Sequence, residues 1–153
     1  MTPDGYPDDK EIEAIEKWDY MDALSLIGFI EERWQYKDWG FKKKWAKDSF
    51  QKKDWVLHIE MHTGGWSGNE DLINALLRNR MATVILNYRM WKAGGHYWFE
   101  FDPRRLGYKK VSEYCKEKKC SRQNVHKQKE KFHWIDAGGK IKMVKPINEI
   151  KTP

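Results

Sequence analysis

Residues 55–80 read WVLHIEMHTGGWSGNEDLINALLRNR, and this stretch sets the expectation for the fold. Trp55, Leu57, Ile59 and Met61 alternate with Val56, His58, Glu60 and His62, the period-2 pattern of a half-buried strand. Thr63 to Asn69 (TGGWSGN) are turn formers. Ser67 and Glu70 have the spacing of a capping box, and Leu72, Ile73, Leu76 and Leu77 then follow at helical spacing, so the pattern predicts a helix over 68–80.

Working toward the N-terminus, Trp39, Phe41, Lys43 and Trp45 share one parity and predict a further strand, joined to the first by the polar run Lys47 to Asp54. Before it, Asp8 or Asp9 opens a short acidic helix running to Trp18. Asp19 is placed to cap a longer helix with Met21, Leu24, Ile27, Ile30 and Trp34 on one face. Toward the C-terminus, Thr83 to Trp91 is rich in β-branched and aromatic residues and reads as a third strand, with continuation of the preceding helix through Ile85 as the competing reading. Ala93 to Gly95 turn the chain, and His96 to Phe101 returns as a fourth strand. The expected class is α+β: a four-stranded antiparallel sheet with packed helices over residues 1–102.

Charge divides the chain near Asp102-Pro103-Arg104-Arg105-Leu106-Gly107, the expected domain boundary. Residues 103–153 hold 15 Lys or Arg against 5 Asp or Glu, a net of +10, whereas residues 1–102 carry −4. That asymmetry points to a polyanionic partner for one end of the molecule. No run approaches the length of a membrane span, and the acidic opening is neither a secretory signal nor a transit peptide, so a cytoplasmic location without membrane contact is expected. Cys115 and Cys120 are too few, and too far from histidines at zinc spacing, for a disulfide framework or a zinc finger.

Within the basic third, Val111 to Lys119 predicts a short helix with Val111, Tyr114 and Cys115 inward, and Ser121 caps a second helix over 122–131 with Val125 inward. Two short β-like runs around Asp136-Ala137-Gly138-Gly139 then predict a hairpin. The stretch VSEYCKEKKCSRQNVHKQ (111–128) resembles the helix-turn-helix of small excisionase-like and MerR-like DNA-binding domains, and the likeness, over about residues 107–146, implies a winged helix-turn-helix. It departs from the pattern at Lys119, where the turn usually has glycine, and at Gln128 and Lys129, where another apolar residue belongs. The resemblance implies that the start of the second helix enters the major groove of double-stranded DNA. Arg122, Gln123, His126 and Lys127 would then lie nearest the groove, with Arg122 and Gln123 able to read base edges. Lys127, Lys131, Arg104, Arg105, Lys109 and Lys110, with Lys140 and Lys142 on the hairpin, suit phosphates. One such module binds weakly, so a specific regulator would need a homo-oligomer or a protein partner.

Two constellations in the first hundred residues carry other expectations. His58, Glu60 and His62 share one strand face, and His96 and Glu100 have the parity to join them; these ligand types suit Zn²⁺ or another divalent metal and would imply a nucleic-acid-processing enzyme. Against that stands an ordinary polar sheet face, with no metal and no cofactor. The loop Gly64, Gly65, Trp66, Ser67, Gly68, Asn69 feeds a helix start, which suits an anion or a protein docking on Trp66, or serves only as a tight connection. HTGGWSGNE (62–70) and GGHYWFEF (94–101) resemble parts of small uncharacterised bacteriophage or prophage proteins over residues 55–101, which implies a phage product acting in a bacterial host and suggests no chemistry. The leading expectation is a non-enzymatic DNA-binding accessory or regulatory protein. The alternatives are a structural or inhibitory protein that binds another protein, and the metal-dependent enzyme.

Overall fold

The computed structural model describes residues 1–138 and 141–147. Its first part is α+β. Helix α1 (Asp9–Lys17) opens with a true capping box, the Asp8 carboxylate accepting from the Glu11 N–H while Glu11 accepts from the Asp8 N–H. Asp19 does cap, but it caps a 3₁₀ turn, Tyr20–Asp22, and α2 (Ala23–Arg33) follows. Of the expected face, Ile27, Ile30 and Trp34 are buried and Leu24 packs half-buried against the core, joined by Ala23 and Leu26, whereas Met21 lies in the 3₁₀ turn and is exposed. A single helical turn, α3 (Lys37–Gly40), takes up Trp39, so β1 (Phe41–Lys47) starts two residues later than its parity predicts.

Strand β2 (Trp55–His62) follows as expected, then α4 (Ser67–Arg78). The helix begins where Ser67 predicts, but Trp66 is the N-cap and no side chain caps it. Residues Thr83 to Ile85 are helical, as the competing reading has it, and the strand begins only at Tyr88: a second helix, α5 (Arg80–Ile85), starts after a break at Asn79. Asn79 accepts from the Ala82 N–H at 3.1 Å and donates to the carbonyls of Ile15 and Trp18 at 2.9 and 3.0 Å, so the break is held by α1. Strands β3 (Tyr88–Lys92) and β4 (His96–Phe101) complete an antiparallel sheet in the order β1-β2-β4-β3.

Cross-strand register fixes which side chains share a face. Phe41, Met61 and Tyr97 align, as do Ile59 and Phe99, and Leu57 and Phe101. This face packs on Ile15, Leu26, Ile27, Ile30, Leu72, Ile73 and Leu76 of the helices to form the main core. The opposite face carries Lys42, Lys44, His58, Glu60, His62, His96, Trp98 and Glu100 in register, and no helix among the described residues lines the depressions over it.

A 3₁₀ turn, Pro103–Leu106, lies at the expected boundary, and its Leu106 belongs to the main core. Beyond it come β5 (Lys109–Lys110), α6 (Val111–Lys118), α7 (Arg122–Lys127), the 3₁₀ turn Lys129–Lys131, β6 (Phe132–Asp136) and β7 (Lys142–Pro146), with the strands ordered β5-β7-β6. Val111, Cys115, Val125 and Val144 make a small core of their own. Ile135, Ala137 and Met143 pack with Leu24, Trp45 and Tyr108, so the β6–β7 hairpin is seated on the first part of the chain. No helix among the described residues is long and apolar enough to cross a membrane.

Candidate nucleic-acid interface

The pair of short helices α6 and α7 forms for local reasons. Helix α6 stops at Lys119, which takes the left-handed conformation (φ 52°, ψ 42°) that glycine would accept without strain. Ser121 then accepts the Asn124 N–H at 3.2 Å and starts α7. Val125 points into the small core, which leaves Arg122, Gln123, His126 and Lys127 on the outside, all exposed. The second helix is shorter than expected: it ends at Lys127, and Lys131 lies on the following 3₁₀ turn.

Strand β5, α7 and β7 together border a groove of about 310 Å³ lined by Lys110, Arg122, His126 and Lys142, with Val111, Ser112 and Ile141 between them. His126 is stacked against Trp134 with ring centroids 5.1 Å apart, and the indole N–H of Trp134 donates to the Lys129 carbonyl at 3.0 Å. The imidazole edge is thereby held toward the groove. Lys110, Arg122, Lys127 and Lys142 form no ion pair with any described residue. Lys140 lies outside the described residues, as does Gly139 of the predicted turn.

Three of the expected phosphate ligands are committed elsewhere. Arg104 is gripped by Asp102 and by Asp54 at 2.6 and 2.8 Å, and the Asp102 carboxylate raises its pKa further above the ordinary guanidinium value. Arg105 donates to the Val84 carbonyl at 2.7 Å, at the end of α5. Lys109 is paired with Glu117. Arg104 and Arg105 line a different depression, beside Asp48 and Asn87. Sequence could not show this for Arg104, because the Asp54 partner is brought in by the tertiary fold.

Burial pushes the Cys115 thiol pKa up, with the neighbouring Cys120 adding to the shift, so the two cysteines serve as packing in the small core.

The histidine face is built as the alternation predicts, but its members do not converge. His58 places Nε2 on the Lys47 carbonyl at 2.9 Å and Nδ1 3.6 Å from Glu100. His62 has its Nδ1 2.8 Å from the Nδ1 of His96 and its Nε2 3.4 Å from Glu60. Glu60 and His96 therefore flank the His62 ring from opposite nitrogens, and among the described residues no group of three or more His, Cys, Asp or Glu side chains is arranged to hold a metal ion. Glu100, buried, also accepts from the Ser49 hydroxyl, a contact with no sequence signal.

The glycine loop is occupied by structure. Asn69 is buried and brackets the Gln35 backbone, accepting its N–H at 2.9 Å and donating to its carbonyl at 3.0 Å. Trp66 packs on Tyr6 at 4.7 Å, and a Cβ on Gly68 would meet the Trp66 indole at 2.7 Å. Gly64 and Gly65 supply positive φ (62° and 73°), and the N–H groups of Asn69 and Glu70 go to the Trp66 carbonyl. With Ser67 near the Tyr6 hydroxyl at 3.4 Å, the loop fastens the N-terminal segment to α4. Comparison with protein-family models, curated proteins and solved structures finds no match for this chain.

Proposed function

We propose that the protein is a non-enzymatic nucleic-acid-binding protein that docks double-stranded DNA on the groove beside α7. One observation carries the reading: three separate elements bring Lys110, Arg122 and Lys142, together with His126, to a single groove, and the three cations form no ion pair with any described residue. Phosphate contacts set affinity and register, so Lys110, Lys127 and Lys142 are the backbone ligands. Arg122 and Gln123, in the first turn of α7, face the base edges, where a guanidinium and an amide can each make paired hydrogen bonds. His126, steadied by Trp134, sits between the two groups. Arg104, Arg105 and Lys109 have no part in this version of the interface.

Three phosphate contacts predict a slope of about −2.7 in log K against log salt, so that raising salt from about 50 to 200 mM weakens binding about 40-fold. Fluorescence anisotropy with a labelled mixed-sequence duplex tests this. R122A/K127A should bind at least about tenfold more weakly, with the slope reduced by about 0.9. Unchanged binding in that double variant would refute the assignment of α7.

A further inference from the structure

The uncovered face of the four-stranded sheet has its own distribution of charge. Its acids have neighbours within the fold: Glu100 accepts from the Ser49 hydroxyl and lies 3.6 Å from His58, and Glu60 lies 3.4 Å from His62. Its cations have no acid within ion-pair distance among the described residues. Lys42 and Lys44 on β1, and Arg89 and Lys92 on β3, are exposed and form no ion pair with any described residue. Lys43, on the other face of β1, is by contrast paired with Glu31. Four cations, Lys42, Lys44, Arg89 and Lys92, against two carboxylates, Glu60 and Glu100, leave this face positive, and the cations sit along both edges.

Between the edges lies an aromatic and polar floor. The row Lys42, Glu60, Trp98, Met90 crosses all four strands in register. A depression of about 300 Å³ over Trp98, Met90 and Glu60 adjoins a second of about 240 Å³ between Lys42, Lys44 and Glu60. Both share His58 and Glu60, so they form one trough across the sheet, about 14 Å from β1 to β3 at ordinary strand spacing. The Trp98 ring lies beside those of His62 and His96, 5.7 and 6.1 Å away.

We infer that this open sheet face is a second binding site, one that takes single-stranded nucleic acid, with a base against Trp98 and phosphates on the flanking cations. Unstacked bases reach an aromatic side chain on a sheet, which the bases of an intact duplex cannot do. The Glu60 carboxylate in the middle of the floor can accept from the amino group of a base, a donor that the carboxylate side chains of an acidic peptide do not offer. The site is independent of the α7 groove, since the two share no lining residue.

The test uses the full chain and a short labelled single-stranded oligodeoxynucleotide beside the labelled duplex, with polyglutamate as competitor. K42A/K44A/R89A should weaken single-strand binding at least about tenfold and leave duplex binding unchanged. W98L, which keeps an apolar side chain without the ring, should cost about tenfold, and W98F should recover most of it. R122A/K127A should leave single-strand binding intact. Single-strand binding that survives the triple substitution, or that is lost in R122A/K127A alone, would overturn the inference, as would polyglutamate competing as well as the oligonucleotide.

Discussion

Asn79 offers the sharpest test of how the helical layer is held. Its side chain is buried, and it serves three backbone groups: the Ala82 N–H, which it caps, and the carbonyls of Ile15 and Trp18 at the end of α1. Asn79→Ala removes the cap, which costs about 1 kcal/mol. The Trp18 carbonyl loses a donor in a partly buried place, about 1 kcal/mol more. The Ile15 carbonyl is more deeply buried but keeps the Trp18 N–H at 3.3 Å, so its loss is smaller, and the total is about 2.5 kcal/mol. In a chain of this length that lowers Tm by about 5 to 10 °C. Asn79→Asp keeps the capping oxygen but turns a carboxylate toward two carbonyl oxygens, and it should be less stable than Asn79→Ala. Urea unfolding followed by circular dichroism measures both. If Asn79→Ala falls within about 1 kcal/mol of the parent, or Asn79→Asp matches the parent, the bracket between α1 and α5 is not what holds the layer.

Two further outcomes follow from local geometry. Lys119→Gly relieves the left-handed backbone at the end of α6 and should stabilise the protein by about 0.5 to 1 kcal/mol in thermal melts; a loss of stability would show that the Lys119 side chain is itself needed. Asp48 receives the backbone N–H groups of Phe50 through Asp54, and those of Asp54 and Gln51 above all hold its carboxyl far below the ordinary range. A depressed folded value means that its contribution is present in full above the unfolded carboxylate value, about 3.9, and is lost as pH falls below it. The stability gap between the parent and Asp48→Asn should therefore narrow on going from neutral pH toward pH 3, and a gap that does not change with pH would contradict the five-donor arrangement.

Much of the sheet is legible in the sequence because β2 alternates between buried and half-buried positions from Leu57 to His62, which period-2 alternation reports directly; β4 does not alternate in burial, since Glu100 is buried beside Phe99 and Phe101. The region 79–91 is not legible in the same way. Thr83, Val84 and Ile85 have strand propensity, but Thr83 returns its hydroxyl to the carbonyls of Leu76 and Asn79, and Asn79 caps a helix whose anchor lies more than sixty residues upstream. Tertiary hydrogen bonds overrule local preference there. At the proposed interface, Ser121 and Val125 announce which side of α7 faces outward. The walls of the groove depend on β5 pairing with β7, and the withdrawal of Arg104 depends on Asp54; both are long-range contacts that no local pattern encodes.

The most direct measurement of the central claim is a titration of the isotope-labelled full chain with duplex DNA at about 50 mM salt, followed by amide chemical shifts. The account predicts that the largest changes fall on residues 110–112, 122–127 and 141–142, and that they collapse when salt is raised. Changes confined to the sheet of residues 41–101, or none at all, would contradict it.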